Sequence, residues 1–212
     1  MNAKIRNLFG LVIVLFALLI AFTSRWAVFD ATALQHNAHN RRPLLEQLRH
    51  PRGLITAADG TVLASNRSSG HGETKQYSRT YPQAGLFSHE VGYFFISKGD
   101  AGIEKQYDDQ LAGRQNEFAS AIDQLLGHRV EGEDVRTTLE PNAQKVALQA
   151  LGGQKGAVVA IEPSTGRIRV MAGNPGFDPN RITAPGGIGG AASTFNRATQ
   201  SKYPPGSTMK VV

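Results

Sequence analysis

The hydrophobic and polar positions divide the chain into a continuous apolar run near the N-terminus and a long mixed remainder. Residues 8–22 read LFGLVIVLFALLIAF, without a charged or strongly polar side chain. Extended to Phe29, the run approaches the roughly 20 helical residues that cross about 30 Å of hydrocarbon. Trp26 would then lie at the level of the lipid headgroups. The pattern predicts a membrane anchor over residues 8–29, in contact with membrane lipid.

A cleaved signal peptide is the alternative interpretation of the same run. Lys4 and Arg6 form a basic segment ahead of it, and residues 31–33 (Ala-Thr-Ala) have the small-x-small pattern of a cleavage site. Arg25 and Trp26 interrupt the approach to that site, which favours an uncleaved anchor.

The charges beside the run leave its orientation nearly balanced. Lys4 and Arg6 lie on the short side, and Arg25, Arg41 and Arg42 lie on the long side. Long domains cross a membrane largely regardless of flanking charge. We therefore expect a single-pass protein of the cell membrane, with a cytoplasmic tail at residues 1–7 and the bulk of the chain outside the cytoplasm.

After the anchor the pattern changes to short mixed elements. Leucines among polar residues at 30–50 predict a helix interrupted by Pro43. Alternating apolar residues at 52–64 on either side of Asp59-Gly60 predict a hairpin with a two-residue turn, in which both turn residues tolerate positive φ. The Ser- and Gly-rich stretch at 65–82 predicts a loop.

The second half of the chain alternates helical and strand signals. Spacings of three and four residues from Glu104 to Leu111 predict a short helix that ends at Gly113. A strand over Val135–Leu139 is followed by a helix that begins at Pro141 and ends at Gly152-Gly153. Two further apolar runs, GAVVAIE at 156–162 and RIRVMAG at 167–173, predict a second hairpin, and residues 185–192 a flexible connector.

Composition and charge exclude several classes of function. The 212 residues contain no cysteine, so disulfides, thiolate catalysis and Cys-ligated zinc are excluded. The net charge of +6 comes from scattered basic residues with no run of five, which argues against nucleic-acid binding. His36 and His39 lie three apart without a nearby carboxylate at ligand spacing, so we expect neither a metal nor a cofactor.

Candidate chemistry lies at the C-terminal end, where Ser207 and Lys210 form the only S-x-x-K in the chain. Two residues at fixed spacing occur about once by chance in a chain of this length, and a helix start with a solvated lysine is the alternative interpretation. Residues 204–206 (Pro-Pro-Gly) end the preceding segment and place Ser207 near the first turn of a new helix. Side chains three apart share a helix face, so the amine can reach the hydroxyl. A lysine activates a serine only when it is desolvated, and the spacing does not supply that desolvation.

Around this pair the sequence resembles the nucleophile region of the class B penicillin-binding proteins, the peptidoglycan D,D-transpeptidases, most nearly those of the actinobacterial penicillin-binding protein A type. The resemblance rests on residues 196–198 (Asn-Arg-Ala) followed by 203–208 (Tyr-Pro-Pro-Gly-Ser-Thr) and Lys210. Further matches follow in order along nearly the whole chain: Arg52-Gly53-x-Ile55, Asp59-Gly60, Leu63-Ala64, Gly102-Ile103-Glu104, Tyr107, Leu111, Gly113, Thr138-Leu139, Gln144, Pro163-x-Thr165-Gly166 and Phe177-Asp178-Pro179-Asn180.

This resemblance implies a fold of the α+β class in three parts. They are an N-terminal transmembrane helix, a small mixed α/β pedestal domain at residues 30–155, and the truncated start of a penicillin-binding, serine β-lactamase-like transpeptidase domain at 156–212. It also implies that Ser207 is the nucleophile acylated by D-Ala-D-Ala stem peptides and by β-lactams, and that Lys210 assists proton transfer. Arg52-Gly53 and the glycine-to-glutamate motif at 102–104 are implied to be structural. Glu140 stands where an Asp is frequent in the family.

The family site also needs S-x-N and K-[ST]-G elements, and neither pattern occurs in these 212 residues. We therefore expect an N-terminal fragment that is inactive alone, taken from a membrane-anchored, cell-wall cross-linking transpeptidase. Two alternatives stay open. One is a non-catalytic anchored module that binds cell-wall synthesis or division proteins; the other is a serine acylase of the β-lactamase or antibiotic-sensor type, against which the long pedestal argues.

Overall fold

The structure, a computed structural model, describes residues 3–25, 47–114, 132–188 and 193–211. The chain divides into two compact units, residues 1–45 and 46–212. After the first helix, α1 (Ala3–Ser24), the described residues of the second unit form eight strands and four α-helices: β1 Ile55–Thr56, β2 Val62–Ser69, β3 Gln76–Thr80, α2 Ser88–Val91, β4 Tyr93–Phe95, β5 Gly99–Ala101, α3 Gly102–Gln106, α4 Asp108–Leu111, β6 Val135–Arg136, α5 Pro141–Leu151, β7 Gly156–Ile161 and β8 Ile168–Asn174.

The first unit contains α1, which runs over Ala3–Ser24. By length and composition, its segment Ile5–Ser24 can cross a membrane, and its large apolar side chains are exposed. Thr23, a polar residue near its end, donates its hydroxyl proton to the carbonyl of Leu19 at 2.7 Å. Residues 26–29 of the predicted anchor and residues 30–46, with most of the predicted helix at 30–50, lie outside the described residues.

The predicted hairpin at 52–64 is confirmed, but its turn is longer than two residues. Strands β1 and β2 pair antiparallel, with Thr56 opposite Val62, so five residues connect them. Only Gly60 in the turn has a positive φ, of 86°. Asp59 instead stabilises the turn through its carboxylate, which accepts a hydrogen bond from the Thr61 amide at 2.9 Å.

The prediction of a loop over 65–82 was wrong. β2 continues to Ser69 and pairs antiparallel with β3, and the sheet has the order β3-β2-β1-β6, with β1 and β6 parallel. Small hydroxyl residues favour turns only weakly, and here they pair across strands instead: Ser65 and Thr80 hydrogen-bond through their side chains at 2.9 Å. Tertiary context thus overrides the local composition.

The predicted helix near 104–111 is present as two short helices, α3 and α4, that meet at Tyr107. Glu104 and Leu111 are both fully buried, and Gly113 follows with a φ of 71°. The predicted strand from Val135 is shorter than expected, because only its first two residues join the sheet. Together the sheet and these helices enclose the larger core, formed by Ile55, Ala57, Leu63, Ala64, Tyr81, Phe87, Val91, Leu111, Val135 and Leu139.

A smaller core lies between α5 and the hairpin of β7 and β8, both of which were predicted. Ala147 of α5 packs against Val170 and Ala172 of β8. The helix ends at Gly152, whose φ of 53° is the left-handed conformation that suits glycine. These side chains are buried because small and β-branched residues face one another across the helix and the hairpin.

Gln144 of α5 connects the two cores. Its side chain is fully buried and donates to the carbonyls of Leu86, at 3.1 Å, and Met171, at 3.0 Å. Its oxygen accepts from the Met171 amide at 3.1 Å. Both N–H groups and the oxygen of the amide are therefore hydrogen-bonded, as burial of an amide requires.

Candidate active site

The S-x-x-K pair lies on a short helix, as predicted. Residues Gly206–Val211 form a 3₁₀ helix, and Ser207 and Lys210 are both exposed on it. In a 3₁₀ helix, side chains three apart eclipse one another, so the hydroxyl and the amine extend from the same face. The described residues do not bury Lys210, so they do not supply the desolvation that a lysine base requires.

The residues before this helix form a tight turn around Asn196. Its amide donates to the side-chain oxygen of Gln200 at 2.8 Å, and its side-chain oxygen accepts from the Ala198 amide at 2.9 Å. Arg197, between them, donates from Nε to the carbonyl of Asn174 at 3.0 Å. The turn is thereby attached to the end of β8.

His89 of α2 holds the beginning of the same segment. Its Nε2 lies 2.9 Å from the carbonyl oxygen of Ser193, so Nε2 carries the proton and donates. The ring meets Phe177 edge-on, with 5.4 Å between ring centroids. Burial lowers the pKa of His89, and the nearby Arg197 charge lowers it further, which keeps the imidazole neutral.

A buried cluster of ion pairs lies in the larger core. Glu104, which is fully buried, accepts from Arg79 Nε at 2.5 Å and from Arg52 Nη2 at 3.2 Å. Arg52 also pairs with Asp108 at 2.8 Å and lies 3.8 Å from the centroid of the Phe94 ring. Each buried guanidinium group thus faces a carboxylate, which buried charges require. The contacts support a structural role for Arg52 and Glu104, as the resemblance implied.

Tyr81 connects this cluster to the C-terminal part of the second unit. Its hydroxyl oxygen accepts from the Phe94 amide at 2.7 Å, and burial beside Glu104 raises its pKa. Its backbone amide and carbonyl are both bound by the side chain of Asn180, each at 2.9 Å. The Asn180 side chain therefore makes the two hydrogen bonds to the Tyr81 backbone that a neighbouring strand would make.

A second buried acid, Glu90, lies beside His89 on α2. Burial raises the pKa of Glu90 to about 8, and hydrogen bonding to its own backbone offsets part of that effect. No ion pair to Glu90 is present in the part of the chain that the structure describes. The carboxyl is therefore largely protonated at neutral pH.

Sequence reasoning missed Arg79, His89 and Glu90. Arg79 was hidden in the stretch predicted as a loop, although Tyr77, Arg79 and Tyr81 alternate as strand residues do. His89 and Glu90 belong to a helix of four residues, too short for any periodic signal. Over residues 3–25, 47–114, 132–188 and 193–211, no group of three or more His, Cys, Asp or Glu could hold a metal ion; His36 and His39 lie outside these ranges.

Comparison with known proteins matches both halves of the second unit. Residues 52–135 match the penicillin binding protein A dimerisation domain, and residues 156–212 match the penicillin binding protein transpeptidase domain. The peptidoglycan D,D-transpeptidase PbpA of Mycolicibacterium smegmatis is 31% identical over 231 residues, covering 100% of this chain and 46% of that protein. PbpA of Mycobacterium tuberculosis is 30% identical over 230 residues, with the same coverage.

Solved structures give the same result. The imipenem acyl-enzyme complex of penicillin-binding protein A from M. tuberculosis matches with a TM-score of 0.67 and 30% identity, covering 78% of this chain and 41% of that chain. The penicillin G acyl-enzyme complex matches with a TM-score of 0.65 and 31% identity, covering 76% and 41%.

These matches are all to penicillin-binding proteins, a family whose members are serine D,D-transpeptidases. Over its whole length the chain is close to the PbpA-type class B penicillin-binding proteins, which confirms the predicted resemblance and the α+β fold class. It spans about half the length of the curated relatives, 46% in each case.

Proposed function

We propose that this chain supplies the nucleophile-bearing segment of a peptidoglycan D,D-transpeptidase. The observation that carries the proposal is that the S-x-x-K helix lies within a segment matched by the transpeptidase family, in a chain similar to PbpA over its whole length. Ser207 and Lys210 extend from one face of that helix, which is the geometry that a serine and its proton carrier need.

In the proposed reaction, the Ser207 hydroxyl oxygen attacks the carbonyl carbon of the D-Ala-D-Ala amide. The hydroxyl proton passes through Lys210 to the departing nitrogen, the amide C–N bond breaks, and D-Ala leaves. The amine of a second stem peptide then attacks the acyl-serine and restores the free hydroxyl. A β-lactam would acylate Ser207 in the same way. Stem peptides and β-lactams are thus the proposed ligands, and neither requires a metal or cofactor.

The proposed location of each part of the chain follows the predicted domain boundaries. Residues 1–7 form the cytoplasmic tail, 8–29 the lipid-embedded anchor, 30–155 the pedestal and 156–212 the transpeptidase segment, with the bulk of the chain outside the cytoplasm. The apolar helix α1 supports this placement. A reporter enzyme active only in the cytoplasm, fused after residue 60, should be silent. Activity of that reporter would reverse the orientation, and release of a shortened soluble product would indicate a cleaved signal peptide.

Labelling with a fluorescent penicillin tests the nucleophile, in a full-length protein that contains this chain and a complete transpeptidase domain. Ser207→Ala should abolish the label, whereas Ser201→Ala, a serine of the same segment without a lysine three residues later, should keep it. Lys210→Ala should slow acylation by about 10²–10⁴-fold, the usual range for general-base assistance. Labelling at any other serine would contradict the assignment, and rapid loss of the label would indicate a β-lactamase instead.

A polypeptide of residues 1–212 alone should take no label. The S-x-N and K-[ST]-G elements of the family site are absent from these residues, and the described structure leaves Ser207 and Lys210 exposed. Stoichiometric labelling of this polypeptide at Ser207 would show that the exposed pair is sufficient.

A second candidate function is assembly without catalysis, because residues 52–135 match a family described as a dimerisation domain. Sedimentation of the detergent-solubilised protein over a range of concentrations tests it. A single monomeric species at every concentration would argue against self-association and leave other cell-wall synthesis or division proteins as the predicted partners.

A further inference from the structure

The segment that leads to the proposed nucleophile is attached at two points. At the first, His89 Nε2 donates to the Ser193 carbonyl at 2.9 Å. At the second, Arg197 Nε donates to the Asn174 carbonyl at 3.0 Å. We name these two contacts the His89–Arg197 clamp. They join residues 193–197 to α2 on one side and to the end of β8 on the other.

The surroundings of His89 fit the ring closely. A Cβ at Gly173 would lie 3.0 Å from His89 Nδ1, so the absence of a side chain there makes room for the imidazole. The next turn of chain is bound to α2 as well, because the Phe177 amide donates to the Ser88 hydroxyl at 3.3 Å. The imidazole is thus held from its Nδ1 side and directs Nε2 at Ser193.

The clamp can influence the position of Ser207 because it ends ten residues before it, at Arg197, and parts of the connecting chain are restricted. After Arg197, a hydrogen-bonded turn extends to Gln200, where the Gln200 amide donates to the Asn196 carbonyl at 2.8 Å. Pro204 and Pro205 then fix their own φ angles and restrict the residues before them. A shift at the turn therefore displaces the start of the short segment, residues 201–205, that leads to the helix beginning at Gly206.

We propose that His89 and Arg197 are positioning residues, which hold residues 193–200 so that the Ser207 hydroxyl is placed for acylation. The proposal rests on the proposed function of Ser207. It differs from a purely structural role in one respect. Loss of the clamp should slow the acylation step while leaving non-covalent binding of the β-lactam intact, because neither residue touches the ligand in this proposal.

The test measures the maximal acylation rate constant and the dissociation constant for a fluorescent penicillin, in the full-length protein. His89→Phe keeps an aromatic ring but cannot donate to Ser193, and His89→Gln keeps a donor near the Nε2 position. The matched control is His71→Phe, at an exposed histidine of the same unit. A displacement on the order of 1 Å can cost about 100-fold, so we expect His89→Phe to lower the rate constant about 10- to 100-fold.

His89→Gln should recover most of the rate, and His71→Phe should match the wild type. The proposal is overturned if His89→Phe acylates at the wild-type rate, or if Phe and Gln at this position are equally slow. If His89→Phe does not fold, Arg197→Met against Arg197→Lys asks the same question, with the exposed Arg181→Met as the control.

Hydrogen exchange separates failure of the clamp from failure of the proposed function. If the wild type takes no label at Ser207, the proposed function is wrong. Whether His89 holds this segment is then decided by the hydrogen-exchange rates of the amides of residues 196–200. These rates should increase in His89→Phe and not in His71→Phe. Equal exchange in the two variants would show that His89 does not hold this segment.

Discussion

Replacement of Glu90 by glutamine should make this protein more stable, and by an amount that depends on pH. Burial raises the pKa of Glu90 from an ordinary value of 4.5 to about 8. Below pH 4.5 the carboxyl is protonated in the folded and unfolded states alike, so its burial has no ionisation cost. As the pH rises from 4.5 to 8, the unfolded state ionises while the folded state keeps its proton, so the wild-type free energy of unfolding falls.

Each unit of pKa shift corresponds to about 1.4 kcal/mol, so the cost approaches about 4 to 5 kcal/mol above pH 8. Glutamine cannot ionise and has nearly the same shape as the protonated acid. The stability difference between Glu90→Gln and the wild type should therefore grow from near zero at pH 4.5 to that plateau.

Pulse proteolysis in urea, on the detergent-solubilised chain at several pH values, measures this difference. His89 contributes the opposite slope, because burial lowers the pKa of His89 and its stabilising effect is lost as the pH falls below about 6.5. That contribution is common to both proteins and cancels in the difference. A difference that stays constant from pH 5 to pH 8.5 would refute the reasoning.

Two further substitutions test the larger core by the same proteolysis assay. Glu104→Gln should lower the free energy of unfolding by about 3–5 kcal/mol, because it leaves two buried guanidinium groups short of a counter-charge. The control is Glu140→Gln, at a half-exposed carboxylate, which should cost at most about 1 kcal/mol. Equal effects of the two substitutions would contradict the importance of burial. Gly92→Ala should destabilise the protein strongly, because its Cβ would lie 2.0 Å from the Ala101 carbonyl oxygen at a φ of 73°. Gly99→Ala, at a φ of 81° with open space around it, should show only the smaller cost of backbone strain. A smaller loss of stability at Gly92 than at Gly99 would show that the backbone shifts to relieve the clash.

Sequence alone predicted the elements that have a local signature. The Asp59-Gly60 turn, the helix that begins at Pro141 and the hairpin of β7 and β8 each carry turn or capping residues at their ends. The strands within residues 65–82 were missed because Ser, Asn and Arg side chains dominate them, although β2 and β3 are neighbours in the chain and pair with Ser69 opposite Gln76.

The same limit applied to the site. Ser207 and Lys210 could be proposed because they lie three positions apart in a recognisable motif, and their catalytic roles remain predictions. Arg79 and Glu104 are 25 residues apart, and His89 and Ser193 are 104 apart. No periodicity joins such pairs, so only the folded arrangement brings them together.

Because Asn180 binds the Tyr81 backbone, the exchange rate of the Tyr81 amide proton reports on local opening of the structure. The Tyr81 N–H donates to the side chain of Asn180, 99 residues further along the chain, in the middle of a short 3₁₀ turn over Pro179–Arg181. Its proton can exchange with solvent when that turn separates locally, without dissolution of the sheet to which β3 belongs. The exchange rate of this single amide therefore measures how often residues 177–182 detach from the larger core. It can be followed in the intact protein without any substitution.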